Sequence, residues 1–426
     1  MRTQSIHIDL FDLIAPLAKT FDMMDPAVAD HSSSVAYWTY RLAEALNFPA
    51  QEQREMVVAA MLHDIGAFSL QDRMALLQFE VQTPHEHSEA GYMLLRSFPP
   101  FENIASTIRF HHVPWEDGAG TTRDGVPVPH GSHLIHLADR LSVLVPREKD
   151  VLQHVPVICE RIAQQRGRIF KPEYVDALTR LEGKDHIWLD AATGDFDRIL
   201  RNALASHTQE LGWDALIDFS RLICRVIDFK SEFTATHTSG IVATSVALAK
   251  LHGFSEEECS LMQVAAYLHD LGKLAIPIEI LEKPAALNDA EWHVMRAHVY
   301  YTYRVLEPIK EFGVITSWSA MHHERINGSG YPFGHKGEQI PLGARIMAVA
   351  DVFTAITEDR PYRKAVDRET ARAMIARMAE RDELDRNVVQ ILLANFDTLN
   401  ETRASAQREA LHEYQSFRDA VAVKRA

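Results

Sequence analysis

The sequence contains one ordered set of histidines and aspartates twice. The dipeptide His63-Asp64, in MLHDIGAF, recurs as His269-Asp270, in YLHDLGKL, 206 residues later. Four further elements recur at shifts of 206 to 212 residues: His31 and His237, His87 and His298, His111-His112 and His322-His323, and Asp139 and Asp351. A chain with 22 histidines gives some chance matches. Five matches in the same order nevertheless predict a duplicated unit.

The residues between these elements follow a helical pattern. The leading histidine of each copy shares a helix face with apolar residues, as the spacings of His31, Val35, Trp38 and Leu42 and of His237, Ile241 and Leu248 indicate. Long strand-like alternation is scarce, and breaker-rich stretches such as SFPPFEN and NGSGYPFGHKGEQIPLG mark loops. Both halves are therefore predicted to be all-α, as two tandem helical domains related by duplication.

The boundary between the two halves is predicted near residue 205. The segment 186–230 contains no ligand pair and is typical of connecting helices. This gives an N-terminal domain at 1–205 and a C-terminal domain at 206–426, in keeping with a prior of ~150 residues per domain. The charged stretch 401–426 is predicted to be a solvated helix or a frayed tail.

Composition excludes several classes of protein. The net charge of -15 argues against a binder of polymeric nucleic acid or of an anionic membrane surface. Acidic residues interrupt the apolar stretches of the N-terminus, which fits neither a signal peptide nor a membrane span, so we expect a cytoplasmic protein. Cys159, Cys224 and Cys259 form no metal-binding or disulfide pattern and are interpreted as buried, reduced thiols.

The repeated residues are suited to binding metal ions. In the second copy they number seven, which is too many for one ion of ordinary coordination: His237, His269, Asp270, His298, His322, His323 and Asp351. They suit two ions that share the Asp270 carboxylate, the arrangement that hydrolyses phosphoesters. Imidazole mixed with carboxylate suits Fe, Mn, Ni or Zn better than Mg. Among these divalent transition metals we expect Fe, with Mn or Ni as alternatives.

Lys273 is the further candidate catalytic residue beside Asp270. It follows Asp270 by three positions, so on a continuing helix it would project from the same face towards the ions. Its ammonium group could neutralise a phosphate oxygen. The alternative is a surface lysine at a helix end, and we favour the phosphate role.

The most specific string in the chain is HHERINGSGYP at 322–332, which follows HDLGK and precedes ARIMAVADVFTAITEDRPYRKA. Over about 215–395 the chain resembles the HD-GYP family of cyclic-dinucleotide phosphodiesterases, a branch of the HD superfamily of metal-dependent phosphohydrolases. The first half resembles only the broader superfamily. The resemblance implies that the second domain is of HD-GYP type and is an enzyme, a phosphoric diester hydrolase.

The resemblance also implies roles for individual residues. One ion would be held by His237, His269, Asp270 and Asp351, and the other by Asp270, His298, His322 and His323. Lys273 would contact the scissile phosphate, Tyr331 of GYP would line the substrate pocket, and Arg360 and Arg363 of RPYR would reach ligand phosphate or base. Phe233 stands where some family members place a glutamate that binds a third ion, so we expect two ions.

The implied substrate is cyclic di-GMP, opened to linear pGpG and onward to GMP. The alternative is 3',3'-cyclic GMP-AMP, because a layout of one HD and one HD-GYP unit also resembles phosphodiesterases for that dinucleotide. A further alternative is a receptor that binds a cyclic dinucleotide without turnover. The oligomeric state stays open, with a homodimer among the states considered.

The first copy retains the same types of ligand, in His31, His63, Asp64, His87, His111, His112 and Asp139. It has Ala67 where the second copy has Lys273, and HHVPWEDGAG where GYP would be expected. These departures argue against a second cyclic-dinucleotide site. We favour metal binding there over a relic; the domain would then be a phosphomonoesterase acting as a 5'-nucleotidase, or a regulatory sensor.

Overall fold

Helices form nearly all of the regular structure, so the all-α prediction is confirmed. The structure, a computed structural model, describes residues 8–22, 28–67, 70–79, 85–147, 150–204, 210–229, 234–359 and 364–423. These residues divide into two compact units, one within Asp9–Glu210 and the other within Leu211–Lys424. The predicted boundary near residue 205 falls among 205–209, outside the described residues, and stays a prediction.

The first unit contains the helices α1 (Leu10–Asp22), α2 (His31–Ala45), α3 (Ala50–Leu62), α4 (Leu70–Leu76), α5 (His85–Leu95), α6 (Glu102–Arg109), α7 (His130–Leu144), α8 (Val151–Ala163), α9 (Pro172–Leu181), α10 (Asp185–Thr193) and α11 (Phe196–Leu204). The second contains α12 (Trp213–Phe229), α13 (Thr234–Leu251), α14 (Glu256–Leu268), α15 (Ile278–Leu281), α16 (Asp289–Leu306), α17 (Gly313–Ala320), α18 (Leu342–Thr357), α19 (Arg368–Glu380), α20 (Arg386–Ala394) and α21 (Phe396–Val423).

The described strands are two residues each: β1 (Ile8–Asp9), β2 (Thr122–Arg123), β3 (Val126–Pro127) and β4 (Glu210–Leu211). Strands β2 and β3 pair antiparallel as a small hairpin, with Arg123 opposite Val126. None of the described helices is both long enough and apolar enough to span a membrane.

The two units repeat the same packing of helices. In the first unit α2 packs on α3 and α7, and α6 packs on α3 and α5. In the second unit α13 packs on α14 and α18, and α17 packs on α14 and α16. Each helix named in the first unit therefore has a counterpart in the second unit that carries or closely precedes the corresponding histidine or aspartate. This agrees with the duplication.

A largely buried helix that carries a predicted ligand lies in the core of each unit, α2 with His31 in the first and α18 with Asp351 in the second. In α2 the predicted inward face of Val35, Trp38 and Leu42 is fully buried. Trp38 packs against Trp188 of α10 with ring centroids 4.9 Å apart. Helix α18 is buried along most of its length, as expected for a helix that is apolar on all sides.

The C-terminal stretch is a helix with mostly exposed or half-buried residues, as one of the two predicted alternatives has it, but one of its sides is packed. Residues up to Val423 form α21, which packs along α13 instead of standing free in solvent. Leu399 and Tyr414 are buried on its inner side, because the apolar positions between its charged residues form a narrow stripe. The three cysteines are buried, as predicted.

Candidate metal centres

The carboxylate of Asp270 lies at the middle of the predicted site in the second unit. Its Oδ2 lies 3.1 Å from Nε2 of His269 and 2.5 Å from Nζ of Lys273, and its Oδ1 lies 3.3 Å from Nε2 of His298. The prediction that Lys273 continues the helix is wrong, because α14 ends at Leu268 and Lys273 belongs to a 3-10 turn at Leu271–Ala275. The turn nevertheless points its ammonium group at Asp270.

The remaining predicted ligands surround this carboxylate. Nε2 of His237 lies 3.3 Å from Oδ1 of Asp351, and Nδ1 of His323 lies 3.7 Å from Oδ2 of the same residue. Two groups have their potential ligand atoms within 4.8 Å of one another, namely His269, Asp270 and His322, and His298, His322 and His323. The structure thus brings all seven predicted residues of the second copy together.

Backbone carbonyls fix the orientation of three of these imidazoles. Nδ1 of His269 donates to the carbonyl of Ala266, Nδ1 of His298 to that of Met295, and Nδ1 of His322 to that of Ser319, at 2.6 to 2.7 Å. A carbonyl oxygen only accepts, so Nδ1 carries a proton, and in the neutral form of each ring Nε2 is the nitrogen with the lone pair. This is the tautomer that a metal ligand needs.

The electrostatics of the centre favour a neutral His322 and a neutral His323 beside an ionised Asp270. Burial, with the neighbouring His269, lowers the pKa of His322 to about 3, and burial with His322 lowers the pKa of His323. Burial acts to raise the pKa of Asp270, but pairing with His269 and Lys273 outweighs it and holds that pKa well below its ordinary value. Neutral imidazoles beside ionised carboxylates are ligands that divalent metal ions bind. The donor set therefore fits divalent metal ions.

Glycine allows the His-Asp turn to approach the next helix in both units. A Cβ on Gly272 would lie 1.9 Å from the carbonyl oxygen of His298, and a Cβ on Gly66 would lie 2.2 Å from that of His87. In the second unit Thr302 ties the turn to α16, since its Oγ1 accepts from the Gly272 amide and donates to the His269 carbonyl. The turn is thereby held against the helix that supplies His298.

Glu358 is a functional candidate that the sequence reasoning missed. Its Oε1 lies 2.8 Å from Nδ1 of His237, and its Oε2 accepts from Nε2 of Gln407 on α21. A carboxylate at Nδ1 orients the ring so that Nε2 faces Asp351. Residue spacing in the sequence gave no indication of this contact, because Glu358 is far from His237 along the chain and reaches it only in the folded structure.

The first unit brings its seven predicted residues together in the same way. Two groups with ligand atoms within 4.8 Å share Asp64: one comprises His31, His63 and Asp64, and the other Asp64, His87, His111 and His112. Oδ1 of Asp139 completes the set at 3.4 Å from Nε2 of His31. All seven residues are buried.

The same carbonyl device orients the imidazoles of the first unit. Nδ1 of His63 donates to the carbonyl of Ala60, and Nδ1 of His111 to that of Ile108. Burial lowers the pKa of His87 to about 3, and Nε2 of His112 is buried without a hydrogen-bond partner among the described residues. The rings of His87 and His112 thus fit a divalent metal ion.

The surroundings of the two centres differ in charge. Ala67 is buried where Lys273 stands in the second unit. Arg140, which directly follows Asp139, is buried and donates to Oδ2 of that residue at 2.6 Å. The hydroxyl of Ser142, rather than a carboxylate, lies 3.2 Å from Nδ1 of His31. The first centre therefore has a buried cation fixed on Asp139 and has no lysine at the position equivalent to Lys273.

Among the predicted substrate-binding residues, Tyr331 lies beside the second centre. Its ring centroid lies 5.0 Å from that of His323, and its amide donates to the His323 carbonyl. The loop that carries it is held by Glu324, whose Oε1 accepts from the amides of Phe333 and Gly334. Arg360, Arg363 and Phe233 lie outside the described residues, so their predicted roles are not tested.

Comparison with known protein families gives two matches along the chain. Residues 28–144 and residues 221–388 each match a family described as HD domain. Each range contains one complete set of the repeated ligands, from His31 to Asp139 and from His237 to Asp351.

Characterised relatives are phosphodiesterases. A protein of Vibrio cholerae named 3'3'-cGAMP-specific phosphodiesterase 1 is 29% identical over 398 residues, which is 91% of this chain and 92% of the relative. The cyclic di-GMP phosphodiesterase response regulator RpfG of Xanthomonas campestris is 40% identical over 161 residues, which is 36% of this chain and 41% of the relative.

The fold is also that of a solved structure. The crystal structure of a cyclic GMP-AMP specific phosphodiesterase of V. cholerae, V-cGAP3, superimposes with a TM-score of 0.64 at 21% identity, covering 92% of this chain and 98% of that chain. The chain therefore belongs to the HD superfamily and carries two HD domains, of which the second is a phosphodiesterase domain of the HD-GYP type.

Proposed function

We propose that the second HD domain opens a cyclic dinucleotide by hydrolysing a phosphodiester bond, and that 3',3'-cyclic GMP-AMP is its preferred substrate. The motifs alone put cyclic di-GMP first. The relative that spans nearly the whole chain, both HD domains included, is named for cyclic GMP-AMP. The relative named for cyclic di-GMP described above covers about a third of the chain. Similarity along the full length therefore supports reversing the order of the two candidates.

The observation that carries this proposal is the convergence of buried imidazoles on the carboxylate of Asp270. Nε2 of His269 and Nε2 of His298 each face one oxygen of that carboxylate. We propose that two divalent transition-metal ions, Fe first with Mn or Ni as alternatives, are held by His237, His269, Asp270, His298, His322, His323 and Asp351. Such a pair supplies a water of lowered pKa and a clamp on the phosphoryl oxygens.

Lys273 is proposed to bind a non-bridging oxygen of the scissile phosphate. Its ammonium group rests on Oδ2 of Asp270, and its side chain is 16% exposed, so it can turn from the carboxylate to an incoming phosphate. We expect Lys273→Ala to lower kcat/KM for a cyclic dinucleotide about a hundredfold, because one charge contact to the reacting group is lost. The metal content, measured in the same preparation by elemental analysis, should not change. A parallel loss of metal would instead make Lys273 a support for Asp270.

Glu358 is proposed to position His237 as a metal ligand. We expect Glu358→Gln to weaken the binding of the ion at His237 about tenfold or more, because the amide lacks the charge that pairs with the Nδ1 side of the ring. Titration of the metal-free protein with Mn²⁺ measures this shift directly. Glu369→Gln, on an exposed glutamate of α19 that pairs with Arg368, is the matched control. Equal affinities in both variants would refute the positioning role.

Tyr331 is proposed to line the substrate pocket, and Arg360 and Arg363 to contact phosphate or base. The position of Tyr331 beside His323 supports its part of this proposal. Guanidinium groups bind phosphate bidentately or stack on bases, which supports the other two.

A competition assay tests the substrate. The metal-loaded chain is incubated, under anaerobic and reducing conditions, with an equimolar mixture of cyclic GMP-AMP and cyclic di-GMP, and both are followed by chromatography. We expect cyclic GMP-AMP to disappear first. Faster loss of cyclic di-GMP would restore the alternative substrate, and binding of either without loss would identify a receptor instead of an enzyme.

For the first HD domain we propose a second metal centre that does not take a cyclic dinucleotide. The shared Asp64 and the carbonyl-fixed His63 and His111 support metal binding. The buried Ala67 in place of a mobile lysine favours a different substrate. The candidate activity is phosphomonoester hydrolysis, removing a 5' phosphate from the linear product. If so, Asp64→Asn would cause the phosphorylated linear dinucleotide to accumulate.

A further inference from the structure

An exposed aromatic side chain stands beside the GYP loop and has no role in the centre itself. Trp292, in the first turn of α16, is 45% exposed. Its ring meets the ring of Tyr331 edge-on, with centroids 6.3 Å apart at 83°. Tyr331 in turn packs against His323, a predicted ligand. Two ring contacts therefore connect Trp292 with the metal centre.

Arg296 lies on the same face of α16, one turn after Trp292. Its guanidinium carbon is 4.5 Å from the centroid of the Tyr331 ring. Within the described part of the chain, Arg296 forms no ion pair and its side chain makes no hydrogen bond, although carboxylates are abundant on this acidic protein. A guanidinium that is positioned by an aromatic ring and left unpaired is available to an anionic ligand.

Local sequence explains why this surface is rigid. The helix begins with a capping box, in which the Asn288 side chain accepts from the Glu291 amide and Glu291 accepts from the Asn288 amide. Trp292 directly follows the capped turn, and its i+4 neighbour is Arg296. The loop on the other side is fixed by Glu324 through the amides of Phe333 and Gly334. Backbone hydrogen bonds thus fix both the segment that carries Trp292 and the loop that carries Tyr331.

Resting on the function proposed above, we propose that Trp292 stacks on one purine base of the cyclic dinucleotide and that Arg296 pairs with the phosphodiester that is not cut. A cyclic dinucleotide has two phosphates in its macrocycle and two purine bases attached to it. When the scissile phosphate lies at the metal centre, a base and the second phosphate are therefore within reach of neighbouring side chains. An indole with a free face stacks on any purine. Trp292 is thereby a substrate-binding residue that acts on affinity rather than on the chemical step.

Steady-state kinetics with two substrates test this proposal. The first substrate is 3',3'-cyclic GMP-AMP, and the second is methyl p-nitrophenyl phosphate, a phosphodiester without a purine or a second phosphate. We expect Trp292→Ala to raise KM for the dinucleotide about tenfold, with kcat changed less than about twofold. Trp292→Phe should recover most of the affinity, since it keeps an aromatic face. We expect Arg296→Ala also to raise KM for the dinucleotide, and neither variant to alter hydrolysis of the small diester.

Val294→Ala is the matched control, because Val294 is an exposed residue of the same helix. An unchanged KM for the dinucleotide in Trp292→Ala would overturn the stacking proposal while leaving the proposed function intact. An equal loss on both substrates would also overturn it, since that result marks a support of the fold. Absence of dinucleotide hydrolysis by the unmodified, metal-loaded chain would instead refute the proposed function itself.

Discussion

Replacing Asp270 by asparagine should abolish phosphodiester hydrolysis, with kcat/KM falling by at least about a thousandfold, as when a principal catalytic group is removed. The carboxylate faces His269 and His298 with one oxygen each, so it is placed to join two ions. Asparagine keeps the shape of the side chain and can offer only one uncharged oxygen. We therefore expect the second centre to lose its metal together with its activity, as measured by elemental analysis and product chromatography.

The matched control for this experiment is Asp64→Asn, the same change at the equivalent residue of the first domain. A folded Asp270→Asn protein, shown by an unchanged circular dichroism spectrum, that kept both its metal and its activity would contradict the bridging role of Asp270. Loss of activity in both variants would show that the two domains do not act separately.

The second large effect concerns the first domain. We expect Asp64→Asn to lower the total metal content of the chain by about half, because both ligand groups of the first centre contain Asp64. The kcat/KM for opening a cyclic dinucleotide should change less than about threefold, since this centre lacks a lysine at position 67. Elemental analysis beside a kinetic assay of the same preparation measures both quantities.

An unchanged metal content in Asp64→Asn would contradict a metal centre in the first domain. Its buried histidines would then be hydrogen-bonding groups of the core. Arg140 weakens the attraction of the first centre for a metal ion, because its buried guanidinium donates to Asp139 and offsets the negative charge of that carboxylate. The first centre is therefore expected to bind its ions less tightly than the second.

The repeat in the sequence predicted most of the site, because metal ligands must recur in the same order when a fold is duplicated. The shift of 206 residues paired His63-Asp64 with His269-Asp270, and both pairs occupy the end of a helix in the same packing arrangement. The structure adds a further repeated pair of residues, at the same shift of 206 residues, that the sequence analysis overlooked. Asp22 accepts from Ser32 as Asp228 accepts from Thr238. These polar pairs were not recognised because they are not ligands.

Other features could not be predicted from spacing, since they depend on contacts between distant segments. Glu358 reaches His237 across the fold, and Gln407 reaches Glu358 from the C-terminal helix. The charge of residues 401–426 predicted a solvated helix or a frayed tail, because the apolar stripe of α21 is narrow and its partner α13 lies far away in sequence. The position of Lys273 was predicted on a continuing helix, whereas the glycine before it allows a tighter turn against α16.

The most direct test of the central claim is a single-turnover reaction with the metal-loaded chain in excess over 3',3'-cyclic GMP-AMP. The account predicts that the cyclic dinucleotide is converted completely to a linear product by the unmodified chain and by Asp64→Asn, and that it stays cyclic with Asp270→Asn. A cyclic dinucleotide that stays intact on the unmodified chain, with both ions of the second centre bound, would contradict the account.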